Sequence, residues 1–362
     1  MRNPTAFPPT TPDDQAVPLT RALDLHADLG RGPHEVLREL LDFCDPATLP
    51  DEPVTHLEQK MAELLGKPSA MFCPSGKTAQ QIALRIHAET TGRWAFAAHP
   101  LDHFDGWEGR NYAVLHQLRM HAIGDRHELM TAEDIRQVGE PLAAVVWELP
   151  QRELGGILPT WADLNEQVGA ARRKGARVHM DGARLWEAQT YYERPYHEIA
   201  ALFDSVYVSL YKSLAGIRGA VLMGDDEFIG NARVWNRRLG GLLPEAWPFA
   251  LAALRNLDLV LPRMPEFKAH AVQLAAAINA DGLACTVPAV PQTTIFHIHL
   301  PIPRAQLERA GLAMRQKRGI QLFGRTLSQP NPRWSAFEVS VGENALAFSP
   351  SDLVQLVRDL MA

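Results

Sequence analysis

A chain of 362 residues, 46% of them hydrophobic, is long enough for one large α/β unit and a second, smaller one, with a sizeable core. Its 42 acidic and 36 basic side chains are interspersed and leave a net charge of −6, which argues against nucleic acid or a membrane surface as partner. Cys44, Cys73 and Cys285 have no CxxC spacing, and the fourteen histidines form no HExxH or His/Cys cluster. Neither a disulfide framework nor a metal site is expected, and a reducing cytoplasm fits.

Residues 1–20 are rich in proline and threonine and read as a mobile tail without the apolar core of a leader. HEVLRELLDFCD has leucines at helical spacing, PATLPDEPVT is a proline-broken loop, and THLEQKMAELLGK is an amphipathic helix closed by Gly66. Strands and helices then alternate. SAMFCP, WAFAAH, LAAVVWEL, ARVHMD, SVYVSLY and GAVLMG read as strands, with helices such as GKTAQQIALRIHAETT and TWADLNEQVGAARRKG between them. This pattern predicts an α/β fold with a mostly parallel central sheet covered on both faces, over residues 21–258. From about Leu259 a long helical stretch leads into TTIFHIHL, a further helix, SAFEVSV and a capped terminal helix, a smaller α+β domain over 259–362. No run reaches the length of a membrane span.

In such sheets ligands sit beyond the carboxyl ends of the strands, so the polar residues there carry the chemistry. After the first strand, Ser75-Gly76-Lys77-Thr78 opens a helix whose free N–H groups suit a phosphate. SGKT also matches the end of a nucleotide P-loop, but the glycine that pattern needs is Met71 here, which leaves nucleotide binding a remote alternative. His103 follows the second strand and can stack on a flat ring. The loop Glu148–Gly156 (ELPQRELGG) is polar and turn-rich after a very apolar strand. Asp181 closes VHMD with Arg184 three residues on; the plain alternative is a salt bridge between them, and the sharper one is a ring nitrogen kept protonated by the acid. Lys212 ends SVYVSLY and enters a small-residue turn, where its amine could form a Schiff base. A phosphate cup, a stacking ring, an acid and a Schiff-base lysine together point to pyridoxal 5'-phosphate.

Several of these stretches resemble the low-specificity threonine aldolases of the aromatic amino-acid β-eliminating lyase group. HMDGARLWEA is similar to the family's HMDGARLFNA, FCPSGKTAQQIAL to PSGTMANQ, and VSLYKSLAGIRGAVLMG to its lysine segment. LDHFDGWEG is similar to the stretch with the stacking histidine, and HADLGRGP (His26–Pro33) to the N-terminal RSDTVT. The resemblance implies a fold-type-I enzyme of aspartate aminotransferase architecture, a homodimer or homotetramer with its active site at the subunit interface. It implies cleavage of a β-hydroxy-α-amino acid to glycine and an aldehyde. Lys212, His103 and Asp181 would be catalytic, Ser75, Gly76, Lys77, Thr78 and Arg184 would join them around the cofactor, and Arg184 with Arg333 would hold the substrate carboxylate. This chain departs from the pattern at three places: ELPQRE replaces ENTHN, VGEP lacks a histidine, and GGLLPEAWP lacks an arginine for which Lys77 could substitute. These departures keep β-elimination or transfer on another amino acid as the alternative reaction.

Overall fold

The computed structural model describes residues 17–23, 31–327 and 329–362, so most of the expected N-terminal tail and most of HADLGRGP lie outside the described residues. The described residues divide into two compact units, Leu37–Met264 and a smaller one in which those up to Val36 join Pro265–Ala362.

The larger unit is built on a seven-stranded sheet of β1 (Ser69–Cys73), β2 (Ala95–Ala98), β3 (Arg119–Ala122), β4 (Ala144–Glu148), β5 (Arg177–Gly182), β6 (Ser205–Ser209) and β7 (Ala220–Gly224), in the order β1-β7-β6-β5-β4-β2-β3. Strand β7 runs antiparallel to both neighbours and every other pairing is parallel. Because β7 is reversed twice over, β1 points the same way as β2 to β6. Their carboxyl ends therefore share one edge, where ligands bind in open α/β sheets. The sequences explain the layering: AVVW in β4 and SVYVS in β6 are buried throughout, as strands covered by helices on both faces must be. β3 (RMHA) escapes an apolarity reading because it is the edge strand and half exposed, where charge and polarity are tolerated.

Helices α1 (Glu52–Leu65), α2 (Gly76–Thr91), α3 (Trp161–Arg173) and α4 (Leu185–Tyr192) pack on this sheet or beside its edge. α1 ends where the sequence predicts, on Gly66 with φ 59°. α2 starts on Ser75, whose hydroxyl accepts the Thr78 N–H, and α3 on Thr160, which does the same for Asp163.

In the smaller unit, β8 (Cys285–Val287), β9 (Ile295–Leu300), β10 (Thr326–Leu327) and β11 (Ser335–Ser340) form an antiparallel sheet in the order β10-β11-β9-β8. The terminal helix Pro350–Met361 is capped by a reciprocal Ser349/Asp352 pair. Arg21–Ala22 adds a short parallel pairing with Ile320–Gln321, and the Thr20 N–H donates to the Gly319 carbonyl. No helix among the described residues is long and apolar enough to cross a membrane.

Candidate active site

The sheet edge gathers the residues singled out in the sequence. In the parallel register Glu148 lies opposite Asp181, and Asp181 opposite Tyr207, so these three side chains leave neighbouring strands on one face. Two glycines make the close packing possible. A Cβ on Gly182 would lie 2.7 Å from the Tyr207 carbonyl oxygen, and one on Gly76 would lie 2.5 Å from the Tyr207 hydroxyl.

Asp181 is 2% exposed. Its Oδ1 accepts the Ala183 N–H at 3.0 Å and its Oδ2 accepts a short hydrogen bond from Gln80 Nε2. Burial pushes its pKa up, and the nearby Lys212 ammonium and His103 pull against that. Among the described residues it forms no ion pair with Arg184. Strand β5 runs on through Gly182, and Arg184 stands at the N-cap of α4 with φ −133° and ψ 32°, outside the helical region, so the two are not one turn apart on a helix. Arg184 pairs instead with Glu187 at 3.8 Å, and Glu187 accepts a short hydrogen bond from Ser213 beside Lys212. Arg184 is 3% exposed, yet its Nε and Nη2 have no hydrogen-bond partner. Two buried guanidinium donors without acceptors mark a place for an anionic oxygen.

Lys212 is buried, and its pKa is pushed down to about 8, first by desolvation and then by the Arg184 charge, with Asp181 opposing. A minor fraction of its amine is therefore neutral and nucleophilic near neutral pH, far more than an ordinary lysine offers. His103 stacks on Trp107, ring centroids 5.9 Å apart and 17° between planes, and its Nδ1 lies 3.1 Å from Glu108 Oε1. Burial and the Lys212 charge lower its pKa to about 3, so the ring is neutral.

Ser75 and Thr78 face each other across the start of α2, hydroxyls 3.0 Å apart, and Lys77 is exposed with its ammonium donating to the Trp107 carbonyl. Lys77 thus ties the α2 N-terminus to the loop that carries His103. Arg333 belongs to the smaller unit, on an exposed turn where its backbone N–H donates to Asn331 Oδ1 at 3.0 Å.

Five neighbours were not singled out by the sequence reading. Glu148 accepts from Gln151 Nε2 at 2.8 Å, and burial followed by the Asp181 charge raises its pKa to about 8. Arg152 lies over the Trp107 ring at 5.5 Å, and its charge acts on both Lys212 and His103. Both belong to the polar loop already suspected. Burial raises the pKa of Glu108 to about 7. Asp102 is buried with neither carboxyl oxygen hydrogen-bonded; burial, then Glu148 and Asp181, raise its pKa well above the usual range. Gln80 sits in the interior of α2 and carries no local signal of its role.

The chain is similar to known proteins over most of its length. The low-specificity L-threonine aldolase of Candida albicans is 28% identical over 297 residues, 79% of this chain and 78% of that protein. A Listeria monocytogenes EGD-E structure described as an L-allo-threonine aldolase superposes with a TM-score of 0.87 at 35% identity, over 94% of this chain and 95% of that one. An Exiguobacterium sp. 255-15 structure described as an aromatic amino acid beta-eliminating lyase/threonine aldolase gives 0.86 at 33% identity, over 94% and 96%. The architecture is that of the fold-type-I enzymes, as the sequence resemblance implied. The beta-eliminating lyase family model matches residues 45–300, and the chain belongs to that family.

Proposed function

We propose that the chain is a pyridoxal-phosphate-dependent carbon–carbon lyase that cleaves a β-hydroxy-α-amino acid to glycine and an aldehyde. The observation that carries this reading is Lys212 and Asp181 buried at one sheet edge, acting on each other electrostatically, beside a buried arginine with open donors. The donor set fits the cofactor: a helix N-terminus with two hydroxyls for the phosphate, a carboxylate for the ring nitrogen, a neutral imidazole for the ring face and a depressed-pKa amine for the aldehyde carbon. When bound, pyridoxal phosphate supplies an electron sink for the carbanion left at Cα.

The chain's own residues do the rest. Ser75, Gly76 and Thr78 hold the phosphate at the positive end of α2, with the Lys77 charge nearby. Asp181 holds a proton on the ring nitrogen. Arg184 binds the substrate carboxylate or the ring's phenolic oxygen through its open donors. His103, neutral and held by Glu108 at Nδ1, offers Nε2 to the proton of the substrate hydroxyl. We further propose a homo-oligomer, supported by the exposed apolar side chains of Leu37, Leu41, Val114 and Leu115. Light scattering at micromolar concentration tests this, and a monomer would rule it out.

Incubation of the cofactor-loaded protein with a panel of β-hydroxy amino acids tests the reaction. Equimolar glycine and aldehyde is the expected result. Pyruvate and ammonia from β-substituted amino acids, with no glycine from any member of the panel, would replace it with β-elimination.

A further inference from the structure

Behind Asp181 lies a line of polar side chains that the reaction as described does not use. Gln80 donates from Nε2 to Asp181 Oδ2, and its Oε1 lies 2.9 Å from His179 Nε2. His179 Nδ1 lies 2.7 Å from Ser205 Oγ, and the same oxygen lies 2.7 Å from His87 Nε2. Gln80, His179 and Ser205 have no exposure and His87 is 3% exposed. The far end is closed by the Phe228 ring, stacked on His87 with centroids 5.1 Å apart. Unsatisfied polar groups at such depth are costly, so a set this large persists only when each member has its partner.

The pairing fixes a direction. With the Gln80 amide donating to the carboxylate, its oxygen must accept, so His179 carries its proton on Nε2. Burial lowers the His179 pKa to about 3 and that of His87 well below the usual value, so both rings are neutral. His179 Nδ1 is then an acceptor, Ser205 donates to it, and the Ser205 oxygen accepts from His87 Nε2–H. Every donor along the line points toward Asp181.

We propose that Gln80, His179, Ser205 and His87 are positioning residues for Asp181, a one-way chain of hydrogen bonds that fixes the carboxylate's orientation and keeps it an acceptor toward the pocket. The inference rests on the reading of Asp181 as the group opposite the ring nitrogen. With Gln80 on Oδ2 and the Ala183 N–H on Oδ1, the carboxylate cannot turn, and what it presents to a ligand is a lone pair. Reversing the chain would require both histidines to change tautomer and Gln80 to flip together.

Two measurements test this. In the cofactor-free wild-type protein, ¹⁵N NMR of the imidazoles should show His179 and His87 neutral, each protonated at Nε2. A doubly protonated ring, or protonation of His179 at Nδ1, would overturn the chain without reference to the cofactor. Gln80→Met keeps the volume and removes the amide. In the loaded enzyme it should lower kcat by roughly tenfold to a hundredfold, the size expected for one hydrogen bond to a charged group, with KM little changed. It should also alter the ratio of the cofactor's two visible bands at fixed pH. Unchanged kcat and bands in a folded Gln80→Met protein that binds the cofactor would refute the positioning role. If wild type takes up no pyridoxal phosphate while the tautomers are as stated, the functional reading fails and the chain stands as architecture without that role.

Discussion

Asp181 and Arg184 are three residues apart and almost equally buried, yet the fold treats them in opposite ways. Both oxygens of Asp181 have protein donors, backed by a line of side chains reaching to His87. Arg184 keeps one ion pair with Glu187 and leaves Nε and Nη2 without acceptors. A group whose task is to stay still is satisfied by its own chain; a group whose partner comes from solution keeps its hydrogen-bonding capacity open.

Five variants or conditions can break or sharpen that contrast. The largest effect is expected at the static group. Asp181→Asn keeps the shape and removes the charge, and kcat for glycine release should fall by about 10²–10³-fold, as for loss of a preorganised electrostatic group; a steady-state assay with KM little changed is the check. At the open group the loss should appear in binding. Arg184→Gln should raise the KM of a β-hydroxy amino acid by roughly 10–100-fold, the size of a charge-assisted hydrogen bond, and a KM that does not move would remove Arg184 from the substrate site.

A pH profile comes next. Desolvation and the Arg184 charge disfavour the Lys212 ammonium, so its neutral amine is scarce below about 8 and predominates above. Stopped-flow capture of pyridoxal phosphate by cofactor-free protein should therefore quicken by about tenfold per pH unit below 8 and level off above it. Glu148 opposes that shift, so Glu148→Gln should move the midpoint to lower pH. The smallest change is structural. Gly76→Ala would push a methyl group into the Tyr207 ring and should cost about 1–3 kcal/mol of stability, read as a lowered Tm.

The legible part of this site was the part written in local sequence. VHMD and SVYVSLY are apolar runs that stop at one charged residue, and such a stop is costly unless it has a use, so Asp181 and Lys212 stand out. Ser75 is legible because capping is a rule about neighbours in sequence. The pairing of Glu148 with Asp181 depends on sheet register, and Gln80 meets its partner 101 residues away, so neither has a local signature. The expected alternative of an Asp181–Arg184 salt bridge fails for a related reason. Spacing in sequence becomes spacing on a face only inside a regular element, and the strand-to-helix turn falls between these two. The fold itself followed from alternating apolar strands and amphipathic helices, except at the polar edge strand Arg119–Ala122 and the short strands Cys285–Val287 and Thr326–Leu327.

The most direct test of the central claim is to load the protein with pyridoxal phosphate, reduce it with borohydride and map the modified peptide by mass spectrometry. The account predicts a single pyridoxyl group, on Lys212. A stable adduct on Lys77 or another lysine, with Lys212 untouched, would contradict it.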